Sequence, residues 1–301
     1  MKVYLCYDFK NNGWGGGNQF LKALKKSLKK LGHITDSPED SDIILFNAHQ
    51  EAQKVISLKI KYPNKLFVQR MDGLYKLYNH KGDDRQDISI RLNQKIADAT
   101  IFQNHWSRNE YLKSGLKDSG LYAVIGNAPD KDIFHSNYNK TNSSVIRLVC
   151  TSWSINKNKG FKYYQHLDNN LDFKKYSFTY IGKNPEIKFK NIKKTGPFNS
   201  QTLAKKLREY DIFVTGSKYE CCSNSLLEAL SSGLPAIGLN SGGTPEIIKS
   251  AGELFNSKED IISSIDKVSS DIENYRSKID IKNINDISEE YILFFQKLIN
   301  E

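Results

Sequence analysis

Residues 212–247 read IFVTGSKYECCSNSLLEALSSGLPAIGLNSGGTPEI, and the order of apolar runs and loops in this stretch decides the fold. An apolar run is followed by a polar loop and a helical pattern, and a second apolar run is followed by a Gly-rich loop and another helix start. Strands that alternate with helices predict a parallel sheet covered on both faces. Ligands of such sheets bind beyond the carboxyl ends of the strands, so the two loops are candidate binding sites.

The first of these loops enters its helix through small polar residues. Ser223, Asn224 and Ser225 stand at the helix start, where free backbone N–H groups and the positive end of the helix dipole suit a diphosphate. Glu220 lies before the helix and can accept hydrogen bonds from sugar hydroxyls, whereas Glu228 lies within it and can accept both hydroxyls of a ribose. On residue type alone, an ordinary helix cap and a surface glutamate fit equally well.

The same alternation of strands and helices runs along the rest of the chain in two series. The first series has predicted strands at 2–9, 42–46, 66–69, 100–103 and 121–125, and the second at 145–150, 177–181, 212–215 and 235–239. Polar residues 136–144 separate the two series and are expected to link two domains, as the length of 301 residues also suggests. The predicted fold class is therefore α/β, with two Rossmann-like domains that face each other across a cleft.

The composition and charge of the chain limit the cellular compartment and the binding partners that can be expected. The four cysteines lack the spacing of a metal site, and no apolar run approaches the length of a membrane span, so the protein is expected to be soluble and cytoplasmic. The net charge of +10 favours anionic partners without choosing among them. The lysines opposite the apolar stripe of a helix predicted at 18–31 fit either a solvated face or a peripheral contact with an anionic membrane surface. These lysines are Lys22, Lys25, Lys26, Lys29 and Lys30.

The ordered combination of motifs in the quoted stretch resembles a known family. Glu220 and Glu228, the sequence GLP at 233–235 and the sequence GGTPE at 242–246 are similar to the signature of retaining GT-B glycosyltransferases, especially family 4, the glycosyl transferases group 1. A pair of glutamates alone would be a weak signal, whereas the ordered set over the whole stretch is specific.

The resemblance implies a domain organisation. An N-terminal Rossmann-like domain at 1–138 is expected on the acceptor side, and a C-terminal Rossmann-like domain at 139–282 is expected to bind the nucleotide-sugar. A final helix at 283–301 is expected to cross back to the N-terminal domain and to bury its aromatic residues, which are Tyr291, Phe294 and Phe295.

The resemblance also assigns roles to residues elsewhere in the chain. Lys159 matches the family's phosphate-binding lysine, and Lys157 is the nearest replacement for a diphosphate-binding arginine that this chain lacks. Asp72 takes the position where many members carry a histidine beside the sugar, and His49 competes for this contact. The implied catalytic residues are Asp72, Glu220 and Lys159. The implied donor-binding residues are Gly15, Gly16, Gly17, Lys157, Lys159, Cys222, Ser223, Asn224, Ser225, Glu228, Gly243 and Thr244.

The expected activity is transfer of a sugar from a UDP- or GDP-sugar to a glycan, lipid-linked or other hydroxyl acceptor. Retention of anomeric configuration is expected, with neither a metal nor a cofactor. A catalytically degenerate GT-B protein that binds glycan or nucleotide is an alternative, although the presence of both Glu220 and Glu228 argues against it. An NAD-dependent Rossmann enzyme fits poorly, because the glycines after the first strand lack the Gly-x-Gly-x-x-Gly order. No nucleic-acid-binding motif is recognised in the sequence, so no nucleic-acid partner is expected.

Overall fold

The computed structural model describes residues 1–10, 16–136, 144–183 and 186–301. The chain divides into two compact units, one formed by Met1–Ala128 with Lys282–Glu301 and the other by Pro129–Ile281. The first unit thus ends earlier along the chain than the boundary predicted at residue 138. The predicted linker at 136–144 lies largely outside the described residues.

Six parallel strands form the sheet of the first unit, and helices follow them along the chain. The strands are β1 (Val3–Cys6), β2 (Ile34–Thr35), β3 (Ile43–Asn47), β4 (Leu66–Arg70), β5 (Ala99–Phe102) and β6 (Tyr122–Val124). The helices are α1 (Gly16–Lys30), α2 (Ala52–Lys61), α3 (Tyr75–Tyr78), α4 (Arg85–Ile96) and α5 (His105–Lys113). The strand order across the sheet is β2-β1-β3-β4-β5-β6, so the direction of winding reverses between β1 and β3.

Both faces of this sheet are buried by helices. Along the strands, successive side chains alternate between two apolar clusters, one that contains Leu5 with Leu24 of α1 and one that contains Cys6 with Val55 of α2. Helices α1 and α2 therefore cover opposite faces, as expected for the connections on either side of a reversal in a parallel sheet. Ligands of doubly wound sheets bind at the carboxyl ends of the strands on either side of such a reversal.

The second unit repeats this plan. Its strands are β7 (Ile146–Ser152), β8 (Tyr176–Gly182), β9 (Lys193–Thr195), β10 (Ile212–Thr215), β11 (Ala236–Leu239) and β12 (Gly252–Phe255), all parallel and in the order β12-β11-β10-β7-β8-β9. A 3₁₀ turn (Lys157–Lys159) precedes α6 (Phe161–Asn170), and the other helices are α7 (Ser200–Leu207), α8 (Asn224–Ser231), α9 (Thr244–Ile248), α10 (Ile261–Ser270) and α11 (Ile272–Ser277).

The winding of the second sheet reverses between β7 and β10. Helix α6, which follows β7, packs through Leu167 in one apolar cluster, whereas α8, which follows β10, packs through Leu226 in the cluster on the other face. The carboxyl ends of the neighbouring strands β7 and β10 therefore mark the reversal point of this sheet, and ligands of doubly wound sheets bind at such a point.

The last helix, α12 (Ile284–Asn300), belongs to the first unit. It begins with a capping box in which the Asn283 side chain accepts backbone hydrogen bonds and Asp286 accepts one from the Asn283 N–H. Tyr291 and Phe295 are fully buried in the same apolar cluster as α1. Phe294, the third expected aromatic anchor, is only partly buried.

Candidate active site

Two charged side chains from different loops meet at the reversal point of the second sheet. Lys159 ends the 3₁₀ turn after β7, and its Nζ donates a hydrogen bond to Oε1 of Glu220 in the loop after β10. Both side chains are largely buried, with 15% and 14% of their surfaces exposed. A Lys–Glu pair held at this depth, where the fold places ligands, fits a polar ligand better than it fits a solvated surface pair.

A close backbone approach brings the two loops together. Gly160 has a φ of 83°, and a Cβ at this position would lie 2.3 Å from the carbonyl oxygen of Gly216. The Lys218 N–H donates to the Asn158 carbonyl at 2.8 Å, which adds a direct bond between the loops. Glycine at 160 is therefore required both by its backbone conformation and by the space available.

A third loop, which follows β11, fixes the backbone of Glu220. The Gly243 N–H donates to the Glu220 carbonyl at 2.8 Å, and a Cβ on Gly242 would lie 2.3 Å from the same oxygen. Tyr219 has a φ of 60° and donates its N–H to the Ser241 hydroxyl at 3.2 Å. The backbone of Glu220 and of the preceding Tyr219 is thus held by hydrogen bonds to the loop after β11.

One oxygen of the Glu220 carboxylate is poised to accept a ligand. Oε2 is buried and has no hydrogen-bond partner in the described part of the chain, while Oε1 accepts from Lys159. A buried acceptor without a partner is costly, so a ligand hydroxyl that donates to Oε2 would stabilise the site.

The start of α8 lies next along the chain. Ser223 is the N-cap residue, but its side chain makes no capping hydrogen bond and instead lies 3.1 Å from the Ser225 hydroxyl. The Ser223 side chain therefore does not compete with an anion for the first-turn N–H groups. Asn224 and the partly buried Cys222, two of the predicted donor-binding residues, flank the N-cap.

Glu228 lies one turn further into α8 and is partly buried. Its carboxyl has no ion-pair or hydrogen-bond partner among the described residues, and burial raises its pKa from 4.5 to about 8. Hydroxyl groups of a ligand that donate to this carboxyl group would stabilise its ionised form.

The remaining predicted donor-binding residues have different surroundings. Lys157 is exposed on the 3₁₀ turn that carries Lys159. Thr244 is buried, and its methyl group occupies the space above Gly238, which gives it a packing role besides any ligand contact. Gly16 and Gly17 begin α1 in the first unit, and Gly15 lies outside the described residues.

In the first unit, the ends of three neighbouring strands converge on Asp72. Asn47 at the end of β3 donates to Asp72 Oδ2 at 3.3 Å, and Gln103 after β5 donates to Asp72 Oδ1 at 3.2 Å. A Cβ on Gly17 would lie 3.6 Å from Oδ2, so the start of α1 is also close to the carboxylate. The Asp72 carboxylate is therefore held in place by hydrogen bonds that a simple Asp-Gly turn would not require.

His49, the competitor of Asp72, lies in an aromatic environment. Its ring packs edge-on against Tyr75 with centroids 5.0 Å apart, and its Nδ1 is buried without a hydrogen-bond partner in the described chain. Burial, followed by the charge of Arg85, lowers the pKa of His49 below its ordinary 6.5. The ring is therefore favoured in its neutral form.

Several polar residues of the first unit were not predicted. Asn47, Gln103 and the buried Arg70 all lie at or just after strand ends, in runs that read as ordinary buried strands. The signal available in the sequence was the presence of polar residues at the carboxyl ends of the strands. Across the described residues, no group of three or more His, Cys, Asp or Glu side chains is placed to hold a metal ion.

The fold and this site define an α/β protein of the GT-B type, and comparison with known proteins agrees. Residues 147–271, which include Lys159, Glu220 and Glu228, match the family model described as Glycosyl transferases group 1. No curated protein matches the chain significantly. None of the helices in the described ranges combines the length and apolar composition that a membrane crossing requires.

Solved structures are similar in fold over nearly the whole chain. Sucrose-phosphate synthase from Thermosynechococcus elongatus is similar with a TM-score of 0.77 and 14% identity, over 100% of this chain and 99% of that one. HepE from Anabaena, in complex with UDP and glucose, is similar with a TM-score of 0.71 and 12% identity, over 98% and 99% of the two chains. A glycosyltransferase from Rickettsia africae ESF-5 has a TM-score of 0.68 and 15% identity, over 97% and 84%. At such identities the similarity shows the fold.

Proposed function

We propose that this chain is a retaining glycosyltransferase that transfers a sugar from a nucleotide-sugar to a hydroxyl acceptor. The observation that carries the proposal is the buried Lys159–Glu220 pair at the reversal point of the second sheet, with Glu220 Oε2 left without a partner. The match of residues 147–271 to the family model supports it.

The donor would bind along the start of α8. Its diphosphate would accept hydrogen bonds from the first-turn N–H groups and from Lys159, and Lys157 would add a positive charge from the same turn. Glu228 would accept the ribose hydroxyls. Glu220 would accept a hydroxyl of the transferred sugar through Oε2 while Lys159 holds Oε1.

The chemical step needs stabilisation of a leaving diphosphate. Negative charge grows on the diphosphate as the bond to the sugar breaks, and Lys159 with the helix start is arranged to stabilise it without a metal or a cofactor. Attack from the face of departure retains the anomeric configuration, so no carboxylate nucleophile is required and Glu220 orients the sugar. In the first unit, Asp72 is the proposed catalytic residue, since two amide donors hold its carboxylate in place.

A UDP-sugar is the first donor to test, with a GDP-sugar next. Solved complexes of HepE contain UDP with glucose and UDP-glucose. The proposed acceptor is a glycan or a lipid-linked sugar. The exposed Lys26, Lys29 and Lys30 of α1 support a peripheral contact with an anionic membrane surface on the cytoplasmic side.

A donor screen tests the proposed function. The full chain is incubated with common UDP- and GDP-sugars, with and without EDTA, and released nucleotide is measured by chromatography. Hydrolysis of one donor, unchanged by EDTA, is expected. Binding of nucleotide without any hydrolysis or transfer would favour a degenerate GT-B protein, and stabilisation by NAD alone would favour the oxidoreductase.

The Lys159→Ala variant ties the activity to the site. Its turnover should fall by about a hundredfold, the scale for one preorganised electrostatic group. Lys162→Ala is the matched control, since Lys162 is exposed at the start of the following helix and covers the ring of Tyr163. Equal activity in the two variants would remove Lys159 from the mechanism and make Lys157 the candidate.

A further inference from the structure

Arg70, the last residue of β4, is a fully buried cation. None of its surface is exposed, and no carboxylate in the described chain pairs with its guanidinium. The group donates to the side-chain oxygens of Asn47 at 2.6 Å and Asn127 at 2.5 Å, and it lies over the ring of Phe20 at 4.8 Å. A buried charge with only neutral partners is a poor source of stability, because an apolar side chain of the same volume would avoid the cost of desolvation.

Asn47 connects this cation to Asp72. Arginine can only donate, so the side-chain oxygen of Asn47 must face Arg70. The amide nitrogen is thereby turned away from Arg70, and it donates to Asp72 Oδ2 at 3.3 Å and to Gln50 Oε1 at 3.0 Å. The nearest compensating negative charge in this network is therefore the Asp72 carboxylate, one amide group away.

Gln103 is oriented in the same way on the other side of Asp72. Its amide nitrogen donates to the Met71 carbonyl at 3.0 Å, and a carbonyl can only accept. The same nitrogen donates to Asp72 Oδ1 at 3.2 Å. Each oxygen of the Asp72 carboxylate thus receives a hydrogen bond from a side-chain amide. The orientation of each amide is fixed by a second partner, Arg70, which can only donate, or the Met71 carbonyl, which can only accept.

We propose that Arg70 is a positioning residue that acts on Asp72 through the Asn47 amide. Its charge sets the direction of the amide, and the amide fixes the orientation of the carboxylate as an acceptor for a substrate hydroxyl. The inference rests on the proposed role of Asp72 in the transfer reaction. It explains why a cation is kept at a fully buried position beside that carboxylate.

The Asn47→Asp variant separates positioning from folding. The new carboxylate still accepts from Arg70 and gives that cation a partner, so the unfolding temperature should not fall. It removes the donor to Asp72 and places a like charge beside it, so kcat should fall by roughly a hundredfold, the scale for a misplaced catalytic group, with little change in the KM for donor. Asn127→Asp is the matched control: it also gives Arg70 a carboxylate but lies on the other side of the guanidinium from the Asn47 link, and its kcat should stay within a few-fold of wild type.

Each outcome decides the inference. A kcat for Asn47→Asp within twofold of wild type, or an equal loss in Asn127→Asp, would overturn it. If Asp72→Asn itself retains full activity, the proposed role of Asp72 fails first, and this result is distinguishable from failure of the Arg70 link.

A double-mutant cycle on unfolding temperature tests the link without any activity measurement. Arg70→Met should destabilise the Asp72→Asn background less than the wild type, because the carboxylate that compensates Arg70 is already absent there. Additive losses would show that Arg70 and Asp72 are not coupled and would overturn the inference even if no donor sugar is found.

Discussion

Among the proposed donor-binding residues, Glu228 is one whose charge state is set by burial. Burial raises the pKa of its carboxyl from 4.5 to about 8, so the folded protein holds the proton more tightly than the unfolded chain. The resulting contribution to stability is complete below pH 4.5 and is lost as the pH rises through about 8. Ribose hydroxyls donate best to the ionised carboxylate, so nucleotide binding should follow the opposite trend.

We therefore predict that UDP binds about tenfold more tightly at pH 9 than at pH 7, as linkage to one ionisation requires. Calorimetry at several pH values measures the trend. Glu228→Gln is the matched control, because its amide does not titrate and any slope that remains belongs to the phosphates of UDP. Parallel slopes in the two proteins would place Glu228 outside the nucleotide site.

At the scale of single residues, the sequence identified acidic and basic residues of the candidate site but not the side chains to which they bind. Lys159 and Glu220 were assigned as site residues from motifs, yet the direct bond between them depends on loops 61 residues apart. For Arg70 the only signal was a polar residue at a strand end, since its partners Asn47 and Asn127 lie 23 and 57 residues away and become neighbours only through the sheet. Pairings of this kind are set by strand order, which residue types do not encode.

At the scale of elements, the loops after β7 and β10 are held in contact by a close backbone approach between Gly160 and Gly216. Gly160→Ala would place a methyl group against the Gly216 carbonyl at a left-handed φ, and should cost about 2–5 kcal/mol from backbone strain and overpacking together. We predict that nucleotide affinity falls as well, because relief of the clash must separate the loop of Lys159 from that of Glu220.

Gly115→Ala is the control for backbone strain alone. Gly115 has a φ of 95° but open space around its Cβ position, so its substitution should cost only about 1–2 kcal/mol. Its nucleotide affinity should be unchanged. Thermal unfolding and UDP titration of both variants test the difference, and equal affinities would show that the contact at Gly160 does not shape the site.

Elements with a continuous apolar run or a strong helical periodicity were predictable. The strand predicted at 212–215 coincides with β10, whose four residues are all buried, and the final helix predicted at 283–301 contains α12, whose buried residues recur at helical spacing. Strands β2 and β9 have only two and three residues, and β12 has one buried residue among its four, so none of these strands gives an apolar run. The predicted strand at 2–9 was too long, since β1 ends at Cys6.

For the whole molecule, the sequence predicted two similar sheets and a final helix that crosses back to the first domain, and the first unit of the structure is not contiguous along the chain. The first unit gains α12 from the end of the sequence, and Asn285 of this helix accepts a hydrogen bond from Ser27 of α1 at 3.3 Å. A helix that buries Tyr291 and Phe295 completely must contribute to the stability of the unit it packs in.

The contribution of α12 can be assigned to one unit by a pair of substitutions on the same helix. Phe295→Ala removes a fully buried ring next to Tyr291 and should cost about 3–5 kcal/mol, whereas Leu293→Ala, at a side chain that is 65% exposed, should cost less than about 0.5 kcal/mol. Amide hydrogen exchange should show faster exchange in β1 and β3 of the Phe295→Ala variant, while β7 and β10 keep their protection. The cluster around Phe295 contains residues of the first sheet and of α1. Loss of protection confined to the second sheet would therefore mean that α12 stabilises the second unit instead.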